Sequence, residues 1–247
     1  MNAVSLRGVG KTYGSGSRAV TALTGVDLGI AAGEFVCLIG ASGCGKSTIL
    51  NLVAGLDQPT SGALTVAGTT ALMFQEAALF PWLTVQANVE LPMRLAGVPR
   101  QERRRRATEL IETVHLCGFA GKRPHQLSGG MRQRGALARA LAQDADIMLM
   151  DEPFGALDAM TRDTLHEELE ALVATRRTTV LFVTHNVREA ARLGDRIVVM
   201  TPRPGRVTAS IDVDIERPRR IDSAEVSALA RSVTDTMREE VLAHARR

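Results

Sequence analysis

An octapeptide, Gly40-Ala-Ser-Gly-Cys-Gly-Lys46-Ser47, follows directly on the apolar run 35–39 and opens onto a helical pattern. It matches GxxxxGK[ST], and no other stretch of the chain restricts the fold so narrowly. A buried strand has to deliver the chain to this turn, and a helix has to leave it. The glycines then let backbone N–H groups of Gly40, Ser42, Gly43, Cys44, Gly45 and Thr48 converge on phosphate oxygens, where the helix dipole also favours an anion. Lys46 is placed to reach the β and γ phosphates of a nucleotide, and the Ser47 hydroxyl to ligate Mg²⁺. At average residue frequencies the four specified positions coincide by chance in roughly 1% of chains of this length. The preceding strand and following helix supply the context the motif needs.

Composition agrees with a helix-covered parallel sheet. The 247 residues are 45% hydrophobic but only 3% aromatic, so the core is built from Val, Leu, Ile, Ala and Met. Formal net charge is +3. Arginine runs at 103–106 and 217–220 have no interleaved aromatics to stack on bases, so they read as solvated faces and no nucleic acid is expected. Three cysteines without paired spacing suit a reducing compartment. The N-terminal residues lack a signal-peptide layout, and no apolar run approaches the roughly 18 residues that span a bilayer.

Along the chain, strands are expected at 35–39, 64–66, 71–74, 147–150, 179–183, 196–200 and 206–213, with a turn at 59–62. Helices are expected at 48–54, 85–95, 102–114, 128–141, 159–173 and 186–193, and from 223 towards the end. Strands disappear between 85 and 141. The chain therefore reads as one α/β unit, 1–247, with a core of 1–84 and 142–216, a helical subdomain of 85–141 and a C-terminal helical extension of 217–247.

Two further signals carry chemistry. In Ile147-Met-Leu-Met-Asp151-Glu152 the acids fall at the C-terminal end of a central strand, where open α/β sheets bind ligands. Asp151 would hold Mg²⁺ and Glu152 would polarise a water; an ordinary helix cap is the plainer reading. Leu127-Ser-Gly-Gly-Met131 opens a helix with Ser128, Gly129 and Gly130, making a second phosphate cradle or simply a serine N-cap. Two cradles far apart in one chain suggest a composite site closed between two copies.

Residues 1–206 resemble the ATP-binding-cassette (ABC) transporter ATPases, whose signature LSGGQ differs here in its last residue, Met131. The resemblance implies a P-loop NTPase fold: a RecA-like parallel sheet core, a small antiparallel β part and the helical subdomain. It also implies ATP and Mg²⁺ as ligands, with roles for further residues. Gln75 matches the glutamine that senses Mg²⁺ and couples to the membrane subunit, and His185 the switch histidine at the γ-phosphate. Asp158 matches the loop that crosses to the other copy, and Tyr13, the only tyrosine, the ring that stacks on adenine. Taken alone, Gln75 reads as a surface residue and His185 as a helix cap. Residues 75–85 and 200–206 are similar to the nitrate, sulfonate and taurine importer ATPases, although 62–75 is shorter than that pattern. Implied partners are a second copy across the ATP sandwich, a transmembrane permease and a periplasmic or lipid-anchored solute-binding protein, at the cytoplasmic face of the membrane. Residues 79, 80, 82 and 83 are an apolar group for the permease to contact, with core packing the alternative for Leu79 and Leu83. A soluble cassette of translation or DNA repair, and a P-loop kinase, are the rival readings.

Overall fold

The computed structural model describes residues 2–155, 157–201 and 204–245. Strand β3 (Phe35–Gly40) is buried along its whole length. It lies between β7 (Thr179–Val183) and β8 (Arg196–Met200), parallel to both. With β5 (Thr70–Met73), β6 (Ile147–Asp151) and β9 (Val207–Asp212) these form a six-stranded sheet in the order β5-β6-β7-β3-β8-β9, antiparallel only at β9. Such strands must be apolar on both faces. Phe35, Cys37 and Ile39 point into one core cluster, while Val36 and Leu38 point into the other, as the two-residue period of a strand requires.

A second sheet of three antiparallel strands, β2-β1-β4, closes the other cluster. Its strands are β1 (Asn2–Tyr13), β2 (Val20–Ala31) and β4 (Ser61–Val66). Helix α1 (Lys46–Val53) lies between the two sheets and buries Ile49, Leu50, Leu52 and Val53. The sequence reading starts β4 three residues late, because Ser61, Gly62 and Ala63 are exposed strand residues with no apolar pattern. Only residues 67–69 join β4 to β5, which is the shortening noted above. Gly68 has φ +116°, and a Cβ there would sit 2.7 Å from Asp146 Oδ2. That carboxylate accepts from Thr69 N and Oγ1 at 2.8 and 2.9 Å.

Residues 85–141 hold helices and turns alone: α2 (Val85–Leu95), α3 (Arg100–Thr113) and α4 (Gly129–Leu141). Thr84 caps α2 by accepting from Ala87 N at 3.1 Å. Buried Asn88 fastens the preceding loop through Phe80 N, 2.8 Å from its Oδ1, and through Thr84 O. After β6 come α5 (Ala159–Arg176), α6 (Val187–Leu193) and, beyond β9, α7 (Ala224–Ala245). Helix α7 packs on α6 and sends Val226, Ala230 and Val233 into the larger core cluster.

The arginine runs divide. Arg105 bridges Glu102 and Glu109 on the exposed face of α3, and Arg220 pairs with Asp222 in solvent. Arg219 corrects the reading of a solvated face. It is buried, and its guanidinium donates to the carbonyls of Ile215, Arg192, Gly194 and Val213. Those oxygens lie at the C-terminal end of α6 and in the segment after β9, and one planar cation serves them all. Replacing Arg219 by Met strands these acceptors in the interior, and urea denaturation should show a loss of about 3 kcal/mol.

Candidate functional site

Parallel register brings the chemistry to one edge of the large sheet. Gly40, the last residue of β3, is level with Met200, and Asp151 is level with Val183. The phosphate loop, the acid pair and the turn after β7 therefore emerge side by side at the C-terminal ends of the strands. A Cβ on Gly40 would lie 2.8 Å from both Cys44 Sγ and Met200 O. Gly45, at φ +96°, caps α1, and a Cβ there would come within 2.5 Å of Leu23 Cδ2. These two glycines let the loop fold tightly against its own strand and against β2. Cys44 is buried beneath the loop.

A cavity of about 600 Å³ opens above the loop, within the usual range of roughly 300–1,000 Å³ for ligand sites. Ser42, Gly43, Gly45, Lys46, Ser47 and Thr48 form its floor, and Tyr13, Gln75, Asp151, Glu152 and His185 its walls. The Lys46 ammonium folds onto the loop, donating to Gly40 O at 2.8 Å and Ala41 O at 3.2 Å. Ser47, Gln75 and Asp151 offer hydroxyl, amide and carboxylate oxygens, the hard donors that suit Mg²⁺. Burial pushes the Asp151 carboxyl above its ordinary range and the neighbouring Glu152 adds to this, while the Ser47 hydroxyl and Lys46 pull it back.

Glu152 has a left-handed backbone, φ +45°. Such a conformation costs on the order of 1–3 kcal/mol in a residue that is not glycine. Its N–H donates to Val183 O at 2.9 Å, which holds the strained turn against β7. The carboxylate then meets Gln75 Nε2 at 3.4 Å and His185 Nδ1 at 3.1 Å. Gln75 and His185, distant from Glu152 and from each other in sequence, thus converge on its carboxylate.

Tyr13 stands at the rim, 41% exposed. Lys11 Nζ lies 4.9 Å over its ring and pairs with Asp57, whose carboxyl that hydrogen bond holds low. Sequence reasoning passed over Lys11 and Asp57, since an ion pair between a strand and a distant turn leaves no local pattern. It also passed over Gln133 and Arg139 of α4. Gln133 Nε2 donates to Gln75 O, while Arg139 donates to Ala78 O at 2.7 Å and Ala77 O at 3.2 Å. The loop that carries Gln75 is therefore tied to the helix that Ser128 opens.

Six expected residues do not line this cavity: Gly40 and Cys44, which lie beneath the loop surface, and four that open helices elsewhere. Ser128 caps α4, its Oγ accepting from Met131 N at 3.2 Å, with Gly129 and Gly130 in the first turn. Asp158 caps α5 through Thr161 N and Oγ1 at 3.0 and 2.8 Å, contacts that hold its carboxyl low. The apolar group divides too. Leu79 is buried in the core, as its packing alternative has it, and Leu83 is half-buried. Phe80 and Trp82 are exposed, Trp82 at 67%, with ring centroids 5.5 Å apart. Ala156, between Glu152 and Asp158, and Pro202 and Arg203 of the 200–206 stretch lie outside the described residues.

A family model described as ABC transporter matches residues 23–155. A taurine import ATP-binding protein of Rhizobium johnstonii is 47% identical over 208 residues, 81% of this chain and 79% of its own length. An aliphatic sulfonates import ATP-binding protein of Mesorhizobium japonicum is 43% identical over 242 residues, 95% of this chain and 88% of its own. A dimeric ATP-binding cassette solved in a post-hydrolysis state with ADP and Pi superposes with a TM-score of 0.79 at 37% identity. The match covers 86% of this chain and 100% of that one.

Asp151 gives the site a pH signature. A carboxyl whose folded value is raised destabilises the fold at every pH above its ordinary range, and the cost is relieved as pH falls through the raised value. Asp151→Asn should accordingly raise the thermal midpoint of the ligand-free protein at pH 7. The gain should shrink as the solution is acidified, measured by scanning fluorimetry across a pH series.

Proposed function

Because this chain belongs to the ABC transporter family as one of its ATP-binding ATPases, we propose that two copies close face to face on two ATP molecules and drive import through a separate membrane permease. One observation carries the reading. A single copy gathers a phosphate loop, two acids, a glutamine and a histidine in one cavity, while its second phosphate cradle opens elsewhere on the surface. A second copy related by twofold symmetry would bring its Ser128, Gly129 and Gly130 to the γ-phosphate held by the first, and the same contact would recur at the other site. The Asp158 turn would cross at the same interface. Closure depends on the γ-phosphate because that group makes the bridging contacts, and hydrolysis removes them.

Each side chain then has a task. Lys46 leaves the loop carbonyls and binds the β and γ oxygens, and Tyr13 stacks on the adenine. Glu152, steadied by Gln75 and His185, orients water for in-line attack, and His185 contacts the γ-phosphate. Ser47, Gln75 and Asp151 would hold Mg²⁺, which when bound neutralises charge on the phosphate oxygens. Phe80 and Trp82, exposed beside the loop that α4 anchors, are the surface for the permease. Any shift there would reach Gln75 through Gln133 and Arg139. None of the described helices is long and apolar enough to cross a membrane, so attachment at the cytoplasmic face would come through the permease. The names of the similar import proteins support a solute of the taurine or sulfonate kind; nitrate belongs to the same proposal through the resemblance of residues 75–85 and 200–206, and a solute-binding protein would deliver the solute.

Glu152→Gln should bind ATP and pair in its presence, yet release phosphate roughly a hundredfold or more slowly; rapid turnover would remove Glu152 from its task. Ser128→Arg should keep the wild-type affinity of a single copy for ATP but elute as a monomer in gel filtration with ATP, and undiminished pairing would defeat the composite site. Purification from membranes without a multi-spanning partner would favour a soluble cassette over a transporter subunit.

A further inference from the structure

His166, in the middle of α5, is completely buried although it touches no part of the nucleotide cavity. Its Nε2 lies 2.8 Å from Glu189 Oε1 on α6, a carboxylate also buried. The other oxygen of Glu189 accepts a short hydrogen bond from the Thr184 hydroxyl, and Thr184 Oγ1 accepts from Asn186 N at 3.0 Å. Across the ring, Arg192 Nη1 is 3.5 Å from Nδ1, with Asp163 Oδ1 at 4.0 Å. Phe154 packs edge-on at 4.9 Å between centroids.

Arg192 Nη1 also donates to Asp163 Oδ1 at 3.2 Å. A guanidinium only donates, so an Arg192 bond to the ring uses Nδ1 as acceptor and leaves the Nε2 hydrogen facing Glu189. The imidazole thereby sits between a buried guanidinium and a buried carboxylate. An aliphatic side chain of similar size would fill the space but leave Glu189 short of a donor, so packing alone does not call for histidine here.

What this chain of bonds reaches is the backbone on either side of His185. Thr184 is held by Glu189, and Asn186 is held by Thr184 while its own Oδ1 caps α6 through Arg188 N at 3.1 Å and Glu189 N at 3.3 Å. The His185 side chain is 69% exposed, and among the described residues Glu152 alone makes a polar contact with it. Its direction is therefore set by its neighbours. At the other end Asp158 caps α5, eight residues before His166, which is roughly 12 Å along a helix.

We infer that His166 and Glu189 are positioning residues for ATP hydrolysis: they key α5 to the 184–186 backbone, so that His185 meets the reacting phosphate only while α5 is seated. The inference rests on the reading of His185 as a γ-phosphate contact. Movement of the Asp158 turn, where a second copy is proposed to dock, is thereby transmitted to the histidine through a rigid helix and two buried side chains.

The test compares steady-state ATPase and thermal midpoints for the full-length chain carrying His166→Leu, His166→Gln, Thr184→Val, His185→Ala and the double change His166→Leu with His185→Ala. His166→Leu and Thr184→Val should lower kcat on the order of tenfold, because misplacement by a fraction of an ångström is costly in a reacting geometry, and should leave KM for ATP unchanged. His166→Gln should restore turnover, since its amide can donate to Glu189 and accept from Arg192. The double variant should be no slower than His185→Ala alone, the signature of groups acting through one another. Wild-type kcat in both His166→Leu and Thr184→Val, or a double variant slowed by the product of the single effects, overturns the inference while His185 keeps its role. Full turnover by His185→Ala overturns that role, and the inference with it. Should His166→Leu fail to fold, Thr184→Val and His166→Gln decide the matter by the same kcat and KM readings.

Discussion

The site depends on the parallel hydrogen bonding of β3 between β7 and β8. With β6 paired parallel to β7 in the same sheet, the ladder aligns the ends of β3, β6 and β7, so the phosphate loop, the Glu152 turn and the His185 turn leave the sheet at one level. The cost of gathering charged groups there is met by strands apolar on both faces and buried in two clusters. A register slip of one residue would turn Phe35, Cys37 and Ile39 towards the wrong cluster and carry Gly40 away from Met200, so packing and site geometry are specified together.

Around this frame, tension is held at few points. Glu152 sits in a backbone region unfavourable to its side chain, and the Val183 carbonyl holds it there. Burial pushes the Asp151 carboxyl up, and Ser47 and Lys46 offset part of that penalty. Such strain is expected where a fold is arranged for a ligand rather than for its own stability. The loop carrying Gln75 is held differently, by Gln133 and Arg139, which bond its carbonyls and leave its side chains free to respond. The buried His166–Glu189 pair has a comparable place behind His185.

Much of the architecture could be read from the sequence because its signals are local. Strands β7 and β8 and helix α2 fall at 179–183, 196–200 and 85–95, where the sequence pattern puts them. Antiparallel β1 and β2 were not located strand by strand, although a small antiparallel part was expected. Their pairing has register shifts between Leu6 and Val9 and again between Val9 and Lys11, which break the alternation a strand otherwise displays. Leu79 was left open between core and surface, and Arg219 was misjudged, for one reason. The composition of a short stretch does not say which neighbour will cover it, and Leu79 is covered by the core that α4 enters while Arg219 is covered by the end of α6 and the segment after β9.

The sequence by itself determined the strand–loop–helix that binds phosphate, the acid pair at a strand end and the second cradle at a helix start. Each is specified by residues adjacent in the chain, and hydrogen bonds between near neighbours are enough to shape it. Only the tertiary structure decided that Gln75, Glu152 and His185 meet at one carboxylate, that α4 holds the Gln75 loop, and that the second cradle stays apart from the first. Those relations are set by the order of strands in the sheet and by burial shared among distant segments, and no window along the chain contains either.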